Sequence, residues 1–316
     1  MADLLLARAD CQIFGTHRWS SRLTLLRHIK DLEKRIELLV CNILDPVSVL
    51  EVVERIRPDW IFHFAAESFV APSWHMPHLY VNTNVNGTIN FLEALRKLKL
   101  TKTRFHVAGS GEEYGLVHEH ELPIDERTEL RPVNPYAVSK VAQDLICYEH
   151  HQSYGLHTVR TRAFNHEGPR RDKVFALPSF AYQIARIESG LQEPVVKVGS
   201  LTARRNWTDV RDMVQAYHRA VERCVPGELY LIGSNRVLTV KECLDKLIAL
   251  SPFADRIQVE EDRERLRPTE VPLLVGRYDK FVNLTGWKPE IDFEQTLVDT
   301  LEYWRLRVRQ HQLSSP

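Results

Sequence analysis

Short apolar runs alternate with amphipathic stretches in the first half of the chain, and this alternation limits the fold more than any other feature. The apolar runs that are typical of strands are residues 36–42, 60–66, 104–110 and 157–164. Residues 46–57 and 135–154 carry apolar side chains at helical spacing. This order predicts a doubly wound α/β fold, in which a parallel sheet has helices on both faces. Residues 60–66 are expected to be a strand buried on both faces.

The second half of the chain is less regular and predicts a smaller mixed α/β domain. Helices are expected over 177–190, 209–224, 239–250 and 293–309, and strands over 194–199 and 228–233. We therefore expect a dinucleotide-binding domain that comprises residues 1–165 and, later in the chain, roughly residues 209–235. Residues 166–208 and 236–316 would form the second, substrate-binding domain.

Composition excludes several classes of function. The 42 Lys and Arg residues balance 42 Asp and Glu residues, so a polybasic nucleic-acid binder is not expected. The five cysteines are scattered without a C-x-x-C pair, which argues against a disulfide framework and a zinc site. His63, His75 and His78 also lack the pairing of metal ligands, so no metal is expected. No apolar run approaches the ~20 residues of a membrane span. We expect a cytoplasmic protein without a signal peptide.

Tyr136 and Lys140 are the most informative pair of residues. A spacing of four places both side chains on one face of the predicted helix. An ammonium beside a phenol favours the phenolate, which can take a proton from a sugar hydroxyl while hydride leaves the same carbon. Y-x-x-x-K alone is a weak signal, but here the helix follows a strand that ends at Ser110. The Ser110 hydroxyl could hydrogen-bond the same substrate oxygen.

Motifs along nearly the whole chain resemble those of the extended short-chain dehydrogenase/reductase family and, within it, the GDP-mannose 4,6-dehydratases. These enzymes have a Rossmann-type fold. The resembling segments are residues 17–21 (H-R-W-S-S), 64–68 (F-A-A-E-S), 110–115 (S-G-E-E-Y-G), 164–171 (F-N-H-E-G-P-R-R), 205–209 (R-N-W-T-D) and 267–271 (R-P-T-E-V). Ser110 stands where these dehydratases usually have threonine, and Cys41-Asn42 where Gly-Asp is typical.

The resemblance implies a lyase that converts GDP-mannose to GDP-4-keto-6-deoxymannose with internal hydride recycling on NADP. Tyr136 would take the C4 hydroxyl proton, and Glu112 would take the C5 proton and help to expel the C6 hydroxyl as water. One carboxylate can serve both positions without moving far. Glu113 is expected to point away from Glu112 on an extended backbone and to be a solvated surface carboxylate.

The resemblance also implies the binding residues. Candidate catalytic residues are Ser110, Glu112, Tyr136 and Lys140. Candidate cofactor-binding residues are Arg18, Ser20, Asn42, Ala65, Ala66, Tyr136, Lys140 and His166. Candidate substrate-binding residues are Ser68, Glu112, Asn165, Arg171, Arg205, Arg267 and Glu270. Guanidinium groups bind diphosphate oxygens well, which suits the arginines in this set. Trp207 is expected to be a packing residue.

The glycine-rich turn that cradles a dinucleotide pyrophosphate is absent from the sequence. A Rossmann chain begins with a strand and a G-x-x-G-x-x-G turn, whereas the first glycine here is Gly15. Residues 1–7 instead match the first helix of the family, and residues 11–15 its second strand. We expect the first strand to be missing, strand edges to remain on both sides of the gap, and NADP to bind weakly. An internal methionine taken as the start would explain this pattern and is the favoured interpretation, and a degenerate or spliced product is the other.

Three alternatives stay open at this point. The first is a GDP-4-keto-6-deoxymannose reductase, which would use the same Tyr136 and Lys140 but consume NADPH. The second and weaker one is an epimerase or decarboxylase that acts on another sugar nucleotide. The third belongs to a different class of function and is a catalytically silent subunit without a working cofactor site. Apolar residues on the Tyr136 helix are compatible with a homodimer or homotetramer.

Overall fold

A computed structural model describes residues 1–8, 10–20, 29 and 32–314. The helices are α1 (Ala2–Leu6), α2 (Leu32–Arg35), α3 (Pro46–Ile56), α4 (Pro77–Tyr80), α5 (Gly87–Lys97), α6 (Pro135–Tyr154), α7 (Ala176–Glu188), α8 (Val210–Arg223), α9 (Val240–Ala249), α10 (Asp279–Thr285) and α11 (Phe293–Ser314). A π-helical turn, Val81–Asn86, joins α4 to α5.

The strands are mostly short. They are β1 (Phe14–His17), β2 (Glu37–Val40), β3 (Trp60–His63), β4 (Arg104–Ser110), β5 (Thr158–Ala163), β6 (His166–Glu167), β7 (Val195–Val198), β8 (Arg204–Asn206), β9 (Thr208–Asp209), β10 (Leu229–Ile232), β11 (Val237–Thr239), β12 (Gln258–Glu261) and β13 (Leu273–Leu274). The chain divides into two compact units. The first comprises Met1–Ser110, Pro135–Arg162 and Val214–Tyr230, and the second Gly111–Asn134, Ala163–Met213 and Leu231–Pro316.

The first unit has the parallel α/β layout that the sequence predicts. Strands β3 and β4 pair in parallel in a four-stranded sheet of order β10-β5-β4-β3, and β1 and β2 pair in parallel as a separate two-stranded sheet. Its core is formed by apolar residues of α3, α5 and the strands, including Val49, Leu92, Phe105 and Val107. Strand β4 and helix α6 begin and end at the residues predicted from the sequence.

The division of the sheet matches the expected gap. Within the described part of the chain, β1 pairs only with β2, and β3 pairs only with β4. The interpretation of residues 60–66 as a strand buried on both faces was wrong. The strand spans only Trp60–His63, of which His63 alone is buried, and Phe64 is exposed. The reason is that β3 is the edge strand of the four-stranded sheet that the described residues form, so one side of the strand stays open.

The second unit is built from short strands and helices around its own core. Strands β11, β8 and β13 form one small sheet, and β12 pairs in parallel with β7. Helices α7, α9 and α11 enclose a core that includes Phe180, Ile184, Leu244 and Leu301. Trp207 belongs to this core, and its indole Nε1 donates to the Leu238 carbonyl at 3.0 Å, so it packs as expected.

Three further observations concern the described residues as a whole. No helix among them combines the length and the apolar character that a bilayer crossing needs. No group of three or more potential metal-ligating side chains comes together in this part of the chain. Cys41, Cys147, Cys224 and Cys243 are buried free thiols, whereas Cys11 is exposed.

Candidate active site

Helix α6 holds Tyr136 and Lys140 on one face, close to the carboxyl end of β4. Both side chains are buried, and the Lys140 ammonium donates to the Ala108 carbonyl at 2.7 Å, two residues before Ser110. The Tyr136 ring packs edge-on against Tyr80, with centroids 6.4 Å apart. The first unit therefore holds Tyr136 and Lys140 in fixed places beside the end of this strand.

The other candidate residues of the first unit follow the carboxyl ends of its parallel strands, where doubly wound folds bind ligands. Arg18 and Ser20 follow β1, Asn42 follows β2, and Ala65, Ala66 and Ser68 follow β3. All are exposed except Ala66, which is half-buried. Asn42 is the most constrained, since its side-chain oxygen accepts from the Leu44 amide at 3.2 Å. Residue 21 of the 17–21 motif lies outside the described residues.

Glu112 lies in the second unit on a short 3-10 turn, Gly111–Tyr114, directly after β4. Its carboxylate is half-buried and accepts from the amide nitrogen of buried Asn134 at 3.3 Å. The expectation for Glu113 was wrong. The backbone is a 3-10 turn rather than extended, and Glu113 is fully buried instead of solvated.

A glycine begins this turn, Gly111, and another follows it directly, Gly115. A side chain on Gly111 would lie 3.3 Å from the ring of Phe164. Gly115 has φ +56°, and a Cβ there would lie 1.7 Å from the Arg131 carbonyl oxygen. Because L-residues rarely adopt this conformation and there is no space for a Cβ, only glycine fits at 115. The backbone under Glu112 and Glu113 is therefore fixed by its surroundings.

Arg205 is the centre of a charged group in the second unit. Its guanidinium is buried and donates to the carbonyls of Val271 at 2.6 Å and Arg204 at 2.9 Å. Burial lowers the pKa of Arg205 and Arg267 adds to this effect, while the carboxylates of Glu112 and Glu270 oppose it. These interactions place Glu112, Arg267 and Glu270 around Arg205. Arg205 thus holds the 271–272 backbone, and half-buried Arg267 is the more accessible guanidinium.

Residues 165–171, which include the short strand β6, position Arg171. This guanidinium donates to the His166 carbonyl and to the Glu167 carboxylate, the latter at 2.9 Å, and it stacks on Phe175 at 4.1 Å. Burial lowers the pKa of His166 to about 4, so its imidazole is neutral at pH 7. The backbone of half-buried Asn165 accepts from the Thr208 amide at 3.0 Å.

The pKa of the Glu167 carboxyl is raised, which predicts that the stability of the protein depends on pH. Burial raises its pKa to about 7, against an ordinary value of 4.5. Between pH 4.5 and about 7, Glu167 is ionised in the unfolded chain but still protonated in the native protein. Raising the pH through this range therefore stabilises the unfolded chain more, and the free energy of unfolding falls. The Glu167→Gln variant avoids this loss. We expect its free energy of unfolding to exceed that of the wild type by up to about 3 kcal/mol above pH 7 and by little below pH 4.5.

Urea denaturation at pH 5, 7 and 8.5 measures the Glu167 effect. Glu260→Gln, at an exposed glutamate on β12, is the matched control. A constant difference between Glu167→Gln and wild type across this pH range would contradict the prediction.

Comparison with known proteins identifies the family. The family model described as GDP-mannose 4,6 dehydratase matches residues 1–300. The chain belongs to the GDP-mannose 4,6 dehydratase family. Its relatives include the GDP-6-deoxy-D-mannose reductase of Pseudomonas aeruginosa, 32% identical over 85% of this chain and 87% of that protein. The GDP-mannose 4,6-dehydratase of Yersinia enterocolitica is 29% identical over 86% of this chain and 80% of that protein.

Solved structures of short-chain dehydrogenase/reductase enzymes have the same Rossmann-type fold as this chain. RMD from Pseudomonas aeruginosa, solved with NADPH, has a TM-score of 0.80 at 30% identity and covers 94% of this chain and 100% of that chain. The UDP-glucose 4-epimerase of Thermotoga maritima has a TM-score of 0.84 at 22% identity and covers 97% of this chain and 95% of that chain, which supports the fold alone. The doubly wound Rossmann-type prediction is confirmed.

Some features of the site were not found by sequence reasoning. The hydrogen bond from Asn134 to Glu112 and the buried position of Glu167 were both missed. Gln143, whose side-chain oxygen accepts from Lys140 at 2.7 Å, was missed as well. Its position three residues after Lys140 on one helix was a usable signal, since residues i and i+3 are neighbours on a helix surface.

Proposed function

We propose that this chain is an NADP-dependent GDP-mannose 4,6-dehydratase that forms GDP-4-keto-6-deoxymannose. The observation that carries the proposal is the Glu112 carboxylate, held by Asn134 within the charged group around Arg205. A reductase has no elimination step and needs no such base. The Tyr136 and Lys140 pair supplies the redox part of either reaction.

The roles of the chain's own residues follow from their chemistry. Tyr136 takes the proton of the C4 hydroxyl, Lys140 favours the phenolate, and Ser110 hydrogen-bonds the C4 oxygen. Glu112 takes the C5 proton and donates a proton to the departing C6 hydroxyl. A nicotinamide cofactor held by Tyr136 and Lys140 would supply the hydride chemistry, the oxidation at C4 and the reduction at C6. Arg171, Arg205, Arg267 and Glu270, with Asn165 and Ser68, bind or frame the sugar diphosphate.

The first unit offers candidate residues for the nicotinamide and adenosine ends of a dinucleotide but fewer for the pyrophosphate between them. Tyr136 and Lys140 suit the nicotinamide ribose, and Arg18, Ser20 and Asn42, which follow strand ends, suit the adenosine end. Ala65 and Ala66, which follow β3, and His166 are the other residues that we propose for the cofactor. The 316 residues contain no glycine-rich turn for the pyrophosphate, so we propose weak NADP binding.

A reductase is the second candidate, favoured by a specific observation. The Pseudomonas aeruginosa reductase is 32% identical, and RMD from the same organism, solved with NADPH, is covered over its whole length. Such an enzyme would reduce GDP-4-keto-6-deoxymannose with NADPH. Tyr136 would then protonate the C4 oxygen, and Glu112 would not take part in the chemistry. An epimerase and a catalytically silent subunit are the remaining alternatives.

Two parallel assays separate these candidates. GDP-mannose with a high concentration of NADP⁺ is followed by mass spectrometry for the loss of one water. GDP-4-keto-6-deoxymannose with NADPH is followed for cofactor oxidation. Loss of water supports the dehydratase, cofactor oxidation alone supports the reductase, and the absence of both from a chain that still binds GDP-mannose supports the silent subunit.

Glu112→Gln sharpens the same test. For a dehydratase we expect kcat to fall by about 10²- to 10⁴-fold, because the amide cannot take the C5 proton. Glu119→Gln, at an exposed glutamate of the second unit, is the matched control and should keep wild-type turnover. A Glu112→Gln variant that dehydrates at the wild-type rate would refute the assigned role.

The other expectations from the sequence remain proposals. We propose that copies of the chain pair through the outer face of α6, where Val138, Leu145 and Tyr148 are exposed, to give a homodimer or homotetramer. The division into domains at 1–165, 166–208, 209–235 and 236–316 and a cytoplasmic location are proposed on the same footing.

A further inference from the structure

A continuous set of buried polar side chains lies behind Lys140 in the first unit. The Lys140 ammonium donates to the Gln143 side-chain oxygen at 2.7 Å, and the Gln143 amide nitrogen donates to the Thr88 hydroxyl at 2.7 Å. That hydroxyl donates to the Asn84 carbonyl at 2.7 Å. The set connects α6 to α5 and to the π-helical turn before it. Every contact is short enough for a good hydrogen bond.

The direction of each hydrogen bond in this set is fixed by its neighbour. A hydroxyl has one proton, and Thr88 gives its proton to the Asn84 carbonyl. Its oxygen therefore accepts from Gln143, and also from the His63 imidazole Nε2, 3.0 Å away. Since the amide nitrogen of Gln143 faces Thr88, its oxygen must face Lys140. Gln143 and the Ala108 carbonyl thus offer Lys140 only acceptors, which suits a protonated amine.

Burial makes these contacts difficult to replace. Asn84 and Thr88 are 0% exposed and Gln143 is 1% exposed, so bulk water cannot take the place of a lost acceptor. A buried charge that loses an acceptor is destabilised more than an exposed one, because the local dielectric is low. Gln143 therefore constrains the position of the Lys140 ammonium more than a surface glutamine would.

Three buried titratable groups that interact with Lys140, on β3, β4 and α6, do not compete for this role. Burial lowers the pKa values of His63 on β3 and His106 on β4 to about 3, and Lys140 contributes to both shifts. Burial raises the pKa of the Cys147 thiol on α6 well above its ordinary value. These three side chains are uncharged at pH 7, so they bring no second charge to Lys140.

We infer that Gln143, anchored on Thr88, is a positioning residue that holds the Lys140 ammonium on the helix face it shares with Tyr136. The role of that ammonium in turnover rests on the proposed function, whereas its placement does not. Gln143 acts through Lys140 and does not contact the substrate.

The test begins with the ligand-free protein and needs no turnover. The side-chain ammonium signal of Lys140 is observed by NMR in protein labelled with ¹⁵N-lysine and is assigned with Lys140→Arg. A buried ammonium with fixed acceptors exchanges its protons slowly, so we expect a resolved signal in the wild type. Gln143→Met and Thr88→Val should broaden or abolish it, whereas Thr88→Ser should retain it. Gln152→Met, at an exposed glutamine of the same helix, is the matched control.

Activity gives the second readout, with whichever sugar nucleotide the wild type turns over. Gln143→Met is expected to lower kcat about 10-fold, corresponding to about 1.4 kcal/mol. The rising limb of its pH profile should move to higher pH, because a displaced ammonium stabilises the Tyr136 phenolate less. The KM for the sugar nucleotide should stay near the wild-type value. Thermal unfolding confirms that each variant is folded.

The outcomes separate the two proposals. An unchanged ammonium signal in folded Gln143→Met and Thr88→Val overturns the positioning role, whatever the activity. Loss of the signal in both variants, with retention in Thr88→Ser, supports it even where the wild type turns over neither substrate, and only the proposed function then fails. A change in KM alone, with the pH profile unmoved, also overturns it.

Discussion

Replacing Tyr136 by phenylalanine is expected to lower kcat by about 10²- to 10⁴-fold while the protein stays folded. The substitution removes only the hydroxyl, which the proposed reaction uses to move the C4 proton. The ring keeps its edge-on contact with Tyr80 and its place among Val70 and Trp74. Turnover is measured with the substrate that the wild type uses, together with thermal unfolding.

Tyr154→Phe is the matched control for this experiment. Tyr154 lies at the end of the same helix and is 46% exposed, so loss of its hydroxyl should leave kcat unchanged. A folded Tyr136→Phe variant with wild-type turnover would remove Tyr136 from the reaction. The same result would weaken the reductase alternative, because both candidate reactions use this phenol.

Replacing Asp144 by alanine is expected to lower the free energy of unfolding by about 3–5 kcal/mol. Asp144 is 2% exposed, and its two carboxylate oxygens accept from Arg160 at 3.1 Å and from Arg162 at 2.5 Å. Arg160 also donates to the Gly227 carbonyl and lies over the Tyr148 ring. Without the carboxylate, two buried guanidinium groups repel each other at low dielectric.

Urea denaturation of the Asp144→Ala variant measures this loss directly. Asp245→Ala is the control, since Asp245 forms an exposed ion pair with Lys241 on α9 and such pairs contribute about 0–1 kcal/mol. Equal losses in the two variants would show that the buried carboxylate is no more important to stability than a surface one.

The sequence predicts most of the first unit because its local signals agree. Helix α6 begins at Pro135 and ends before Gly155, which has φ +65°, and both residues are ordinary helix boundaries. Asp45 caps α3 by accepting from the Val47 amide at 3.0 Å, as an aspartate before a helical segment predicts. Where a signal lies within a few residues of the element it defines, the sequence is sufficient.

The features that the sequence did not predict depend on contacts between residues that are far apart in the chain. The exposure of Phe64 depends on which strand lies beside β3, and no local pattern contains that information. The hydrogen bonds behind Lys140 join His63, Thr88 and Gln143, which are far apart in sequence and meet only in the folded unit. The burial of Glu113 results from a turn whose shape is set by Gly115 and the Arg131 carbonyl. Such features follow from tertiary packing.

The enclosed turn at Gly111–Tyr114 has a consequence for the evolution and redesign of this enzyme family. Because Phe164 and the Arg131 carbonyl hold the backbone at both ends, a substitution at Glu112 changes the chemical group presented while its anchor stays in place. An ancestral chain can therefore gain or lose a carboxylate here by a single codon change, with little structural penalty. Gly115, in contrast, should tolerate no substitution in a directed-evolution library, and Glu113 is fully buried, so diversity introduced at this turn belongs in the side chain of residue 112.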